Sequence, residues 1–163
     1  MSEPANWSDF FVASMGAAAA LSGLVAVAIS INLNHILKHK HLPSRAGEAL
    51  LILVGAMLIS GVGLIPHQPS YLRGAEIGAI GVFVLVMSIV SQISSLRTLK
   101  NPPLKWWLTR ALTTPFTALP IAVGGIMVAA GNEAGLYWVA IGVLASLAAG
   151  VQATWILLVE ILR

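Results

Sequence analysis

The sequence predicts an all-α integral membrane protein, one transmembrane domain of five helices over residues 1–163. Three observations predict it. Of the 163 residues, 58% are hydrophobic and only 9% are charged, where a soluble domain carries about 25% charged residues. A chain this short cannot bury so much apolar surface in a core of its own. Five apolar runs are each long enough to cross a bilayer, which takes about 20 residues, and the basic residues gather in alternate connections between them.

The first run spans about residues 10–37, with Ser8 or Asp9 placed to cap its N-terminus. The second spans about 46–65, between Pro43-Ser44 and Pro66. The third covers about 73–99, the fourth about 106–130 and the fifth about 134–162. Sustained period-two alternation is lacking, and Ala and Leu dominate, so strands are not expected. The connections are short, which predicts antiparallel neighbours.

Orientation follows from charge. Lys38, Lys40 and Arg45 flank the first connection, and Arg97, Lys100, Lys105 and Arg110 flank the third. With Arg163 they put eight of the nine basic residues on one side of a five-pass map, leaving Arg73 alone on the other. The positive-inside rule makes the larger group cytoplasmic, with the N-terminus outside and the C-terminus inside. A four-pass map, in which the fourth run does not cross, moves Arg163 beside Arg73 and weakens the split. Trp7, Trp106, Trp107, Tyr137 and Trp138 fall near span ends, as an aromatic belt does. Glu3 and Asp9, with no basic residue before the first run, do not read as a cleavable signal peptide.

Several functions are argued against. Without cysteine there are no disulfides, thiolate metal sites or cysteine nucleophiles. The net charge of +3 is dispersed between apolar runs, so it reads as topology rather than nucleic-acid binding. Metalloprotease, nucleophile-elbow and phosphate-loop signatures are missing, and an enzyme is not expected. His35, His39 and His41 near the end of the first run make a weak metal candidate, His35 and His39 standing one turn apart. Lys38 and Lys40 between them oppose a cation and favour an interfacial role near anionic lipid. His67, on the opposite side, cannot complete a bis-histidine haem site, so no metal or cofactor is expected.

The polar residues inside the runs are the candidate site. Ser14, Ala18, Ser22, Ala26 and Ser30 recur every four residues and lead to Asn34, with Gly16, Ala19, Ala20 and Gly23 alongside. Small residues allow close helix contact, so this stripe is a packing face or, between copies, a pore lining. Gly142, Ser146, Gly150 and Thr154 suggest a similar packing face. Ser88, Ser91, Gln92 and Ser95 share a face of the third helix, and Gln92 needs a partner in hydrocarbon, for which Gln152 is the candidate. Pro115, Pro120, Gly124 and Gly125 mark a helix break, either a plain kink or a site built on freed backbone groups. None of the six carboxylates falls at a bilayer centre. Glu48 and Glu76 are expected in the first turns of their helices, where the helix dipole favours them, and Glu76 is a candidate for a cation-attracting mouth.

The opening Trp7-Ser8-Asp9-Phe10-Phe11-Val12-Ala13, the Gly16–Leu24 run, Val27-Ala28-Ile29-Ser30-Ile31-Asn32 and Gly63-Leu64-Ile65-Pro66 resemble a group of small uncharacterised bacterial multi-pass membrane proteins. Some of these carry a transferred label as modulators of a membrane AAA protease. The resemblance covers mostly the first 70 residues and implies the bacterial inner membrane and a membrane-protein partner. The Ala-rich first helix with its Ser22-Gly23 also resembles that of Orai calcium channels, but Asn32 and Asn34 stand where an acidic residue would be. Two functions are expected from these features. The leading one is a small homo-oligomeric channel for ions or small solutes. The alternative is a non-conducting regulatory protein that binds another membrane complex. Membrane lipids are partners in either, and nucleic acid in neither.

Overall fold

The computed structural model describes residues 7–38, 42–98 and 104–160, the side chains of 95–98, 104–112 and 159–160 excepted. The elements are α1 (Trp7–Ile31), α2 (Leu33–Lys38), α3 (Leu42–Gly63), α4 (Ser70–Thr98), α5 (Leu104–Ala129) and α6 (Gly135–Trp155). A π-helical turn, Ile156–Glu160, continues α6. Every regular element among the described residues is helical. Four of them contain stretches long and apolar enough to cross a membrane: Trp7–Ile31, Leu42–Gly63, Ser70–Ser94 and Gly135–Leu158. The chain thus folds as a multi-helix bundle suited to a bilayer. In α5, Thr113–Ala129 is apolar among the residues whose side chains are described.

Local chemistry sets the ends. Pro43 sits in the first turn of α3, where a missing N–H costs no helical bond. After α3, the turn to α4 passes through His67 in the left-handed region, at φ 56°. Beyond α5, Gly131 takes φ 85°. Its N–H donates to Val128 and that of Asn132 to Met127, at 3.0 and 2.9 Å, the paired bonds of a Schellman cap. Asn132 Oδ1 then accepts from the Ala134 N–H at 3.0 Å and starts α6.

The expected first helix, 10–37, is divided at Asn32 into α1 and α2. Asn32 is buried, and its side-chain amide donates to the Leu157 carbonyl at 2.8 Å. The turn after α1 is thereby tied to the π-helical turn, 125 residues away in sequence. At the other end of α1 the Trp7 ring packs edge-on against Tyr137 of α6, with centroids 4.9 Å apart.

Each long helix packs on its sequence neighbours, α1 closes the ring against α6, and α3 meets α6 across the middle. Side chains fill the interior. Phe11, Ile59, Ile77, Val128, Leu136 and Val139 belong to one apolar cluster, and Val25, Ile36, Ala46, Leu53 and Leu157 to a second.

The expected helix break is corrected. Pro115 and Pro120 lie inside α5, which runs through both. Proline deletes single backbone bonds, and Thr117 Oγ1 donates to the nearby Thr114 carbonyl at 3.0 Å. Gly124 and Gly125 do not loosen the helix either; they let it be gripped from two sides. A methyl group on Gly125 would lie 2.6 Å from the Gly78 Cα of α4, and one on Gly124 2.5 Å from the Gly135 carbonyl oxygen of α6. On the facing helix, a methyl on Gly74 would come within 2.6 Å of the Gly125 carbonyl oxygen. Gly16 on α1 has nothing within 4 Å of such a methyl.

Gly125→Ala should therefore lower stability in detergent by about 1–3 kcal/mol, the usual scale of overpacking. Gly16→Ala should be neutral or stabilising by less than about 1 kcal/mol. Paired thermal unfolding scans of the two variants check this, and equal behaviour would refute the glycine seam.

Candidate functional site

Glu48 of α3, Gln92 of α4 and Thr114 of α5 meet near the end of the bundle where α3 starts. The antiparallel pairing of α3 with α4 brings them level. Gly55 packs against Val84, and two turns further along each helix stand Glu48 and Gln92. The Gln92 amide donates to Glu48 Oε1 at 3.0 Å and also to Thr114 Oγ1, while the Thr114 hydroxyl reaches Glu48 Oε1 at 3.2 Å. Glu48 and Thr114 are buried and Gln92 is half-buried.

This corrects two expectations. Glu48 is the seventh residue of α3, beyond the first turn, and serves a side-chain network rather than the helix dipole. Gln92 finds Glu48 and Thr114, not Gln152. The reason is the ring order: α4 packs on α3 and α5, and α6 lies beyond α5. The uncharged run of α3 begins directly after Glu48, at Ala49.

Gln152 instead helps to line a cleft between α3, α5 and α6. Arg45, Glu48, Ile52, Thr113 and Gly150 are also on its walls, and its volume is small, about 70 Å³. Thr113, Ala149 and Gln152 also line a second groove, between α5 and α6. The groove holds about 500 Å³ and is mainly apolar, with Phe116, Ala145, Ala148 and Val151 on its sides. A separate apolar groove of about 990 Å³ follows the α4–α5 seam beside Gly74, Gly78, Val82 and Phe83.

The remaining sequence candidates scatter. Ser88, one turn before Gln92, is fully buried and its hydroxyl has no protein partner. Ser91 is half-buried, and the side chain of Ser95 lies outside the described residues. On α1, Ser14 and Ala18 are buried, and Ser22 is half-buried and donates to the Ala18 carbonyl at 2.8 Å. Ala26, Ser30 and Asn34 are exposed. The stripe is thus not a single face, because a four-residue step advances about 40° beyond a full helical turn. Ser146 and Thr154 are buried and donate to backbone carbonyls one turn earlier.

At the opposite end Glu76, the seventh residue of α4, also lies past its first turn and accepts from Gln68 Nε2 at 2.8 Å. Arg73 pairs with Glu133 at 3.2 Å, joining the start of α4 to the turn before α6. His35 is exposed, and His39 and His41 lie outside the described residues. Among the described residues no three histidine or carboxylate side chains gather as a metal site would need.

Fold and site together are those of an α-helical bundle whose four long apolar helices are compatible with a multi-pass membrane protein, with a buried carboxylate network near one end. Comparison with protein-family models, curated proteins and solved structures finds no match.

Glu48 needs its donors, since a buried acceptor left short of partners costs about 1–3 kcal/mol. Gln92→Leu should destabilise the protein by that amount. Adding Glu48→Leu should cost less than the sum of the two single changes, because the pair shares one interaction. Denaturant titration of the three variants in mixed micelles measures the coupling, and strict additivity would dissolve the network.

Proposed function

We propose that this chain is a five-span protein of the bacterial inner membrane that acts by helix association along α1, assembling with its own copies as a non-conducting regulatory element. The observation that carries this is the outward face of α1. Gly16, Ala19, Gly23, Ala26 and Ser30 follow one another at alternating three- and four-residue steps, and all are exposed. That period of 3.5 keeps a stripe on one side of a helix and is the pattern of helices that wrap together. A methyl group built on Gly16 or Gly23 meets nothing within 4 Å, so a second backbone can approach closely. The most apolar stretch of α1 is 22% buried, against 50% for α3. The N-out, C-in orientation rests on the eight-to-one division of basic residues.

A lack of native cysteine makes each introduced thiol unique. In native membranes Ala19→Cys and Gly23→Cys should cross-link into a product of twice the chain mass, and buried Ala18→Cys should not. Cross-linking to a different protein would replace self-assembly with a hetero-complex. Failure at Gly16, Ala19 and Gly23 alike would reject association through α1. Thiols at 101 and 133 should label from opposite sides of the membrane.

A conducting oligomer is the second reading. It is favoured by Ser30 near the end of α1 and Asn34 in α2, both exposed. Copies meeting along α1 would gather these polar groups at a cytoplasmic mouth. This reading expects ion flux in proteoliposomes that Asn34→Leu reduces several-fold, whereas flux equal to that of empty liposomes removes it.

A further inference from the structure

Gln152 is a polar side chain of α6 that the fold leaves unserved. Ser146 and Thr154 of the same helix donate to carbonyls one turn earlier. The Gln152 side-chain amide makes no hydrogen bond to any described residue, and the residue is exposed on the outside of the bundle. It nonetheless belongs to the apolar stretch Gly135–Leu158, six residues before its end, which is about 9 Å along the helix axis. Where α6 crosses a bilayer, two amide donors and an acceptor stand beside hydrocarbon, and such a group takes a partner.

The surroundings of Gln152 suit another helix. Ile141, Ala145, Ala148, Gln152 and Trp155 follow one another at steps of four and three residues, and all but the half-buried Ala145 are exposed. That period of 3.5 keeps them in one line along α6. Ala145 and Ala148, in the middle of the line, let a second backbone come close. Beside them the α5–α6 groove, of about 500 Å³, has room for side chains of the incoming helix.

Symmetry selects the occupant. Two copies inserted the same way round are related by a two-fold axis along the membrane normal, so a residue beside that axis meets its own counterpart at its own depth. An amide is its own complement: each donates an N–H to the oxygen of the other, closing two hydrogen bonds. A helix of an unrelated protein would need a polar group placed at this one depth. We propose that α6 is a second self-association surface, on which the Gln152 amides of two copies pair and Ala145 and Ala148 form the close contact. It lies on a different helix from the α1 contact and, like it, rests on the five-span reading. A single polar residue on an otherwise apolar seam also fixes the register of the two helices.

The test uses the full chain in native membranes, with single thiols and copper–phenanthroline as oxidant. Ala148→Cys should form a product of twice the chain mass. Ser146→Cys, which is buried, and Val82→Cys, exposed on α4, should not. Gln152 makes no side-chain bond within the fold, so Gln152→Leu leaves the single chain intact. Added to Ala148→Cys, it should slow the cross-link roughly three- to tenfold, the effect of losing a hydrogen bond between membrane helices. A rate unchanged by Gln152→Leu overturns the proposal. So does a missing Ala148→Cys dimer, an equally fast Val82→Cys dimer, or capture of a different protein at 148. Thiols at 101 and 133 that label from the same side would remove the five-span reading itself, and a missing Ala19→Cys dimer would leave the α6 result standing.

Discussion

Close approach of helix backbones is the constraint on which the rest of this structure depends. Between helices in a bilayer there is little water to expel, so contact rests on dispersion and on how near the helices come. Here α5 is held from both sides, by Gly74, Gly78 and Gly125 toward α4 and by Gly124, Gly135 and Gly142 toward α6. The two seams keep a proline-bearing helix in place. They also set the height of Thr114, and with it the meeting of α3, α4 and α5 at Glu48.

Polar groups in the bundle are handled in two ways. Ser22, Ser60, Ser146 and Thr154 turn back onto carbonyls of their own helices and need no neighbour. Glu48, Gln92, Thr114 and Asn32 bond between elements and so link helices as well as satisfying themselves. The second group clusters toward the end of the bundle at which α3 begins.

Of the runs expected at 10–37, 46–65, 73–99, 106–130 and 134–162, the first, second, third and fifth overlap helical stretches long and apolar enough to cross a membrane, because long apolar runs carry their own signal, while the first is divided at Asn32. Much less of the site was legible. Ser14 to Asn34 reads as one stripe on paper, yet the 3.6-residue turn carries its later members to the outside. The need of Gln92 for a partner is plain from its place in an apolar run, but nothing along the chain says that α4 borders α3 and α5. Asn32 drew no attention as a structural tie, since its partner is a backbone carbonyl far away at Leu157.

What the sequence determined by itself was the helical class and the long apolar helices suited to a bilayer. Hydropathy and the placement of charge act residue by residue, and they can be read without knowing which helices touch. Helix order around the ring, the use of Gly124 and Gly125 as paired contact points, and the gathering of Glu48, Gln92 and Thr114 were decided only in three dimensions. The reason is geometric: a side chain's partner depends on the rotation and height of the neighbouring helix, and both are set by packing along its whole length.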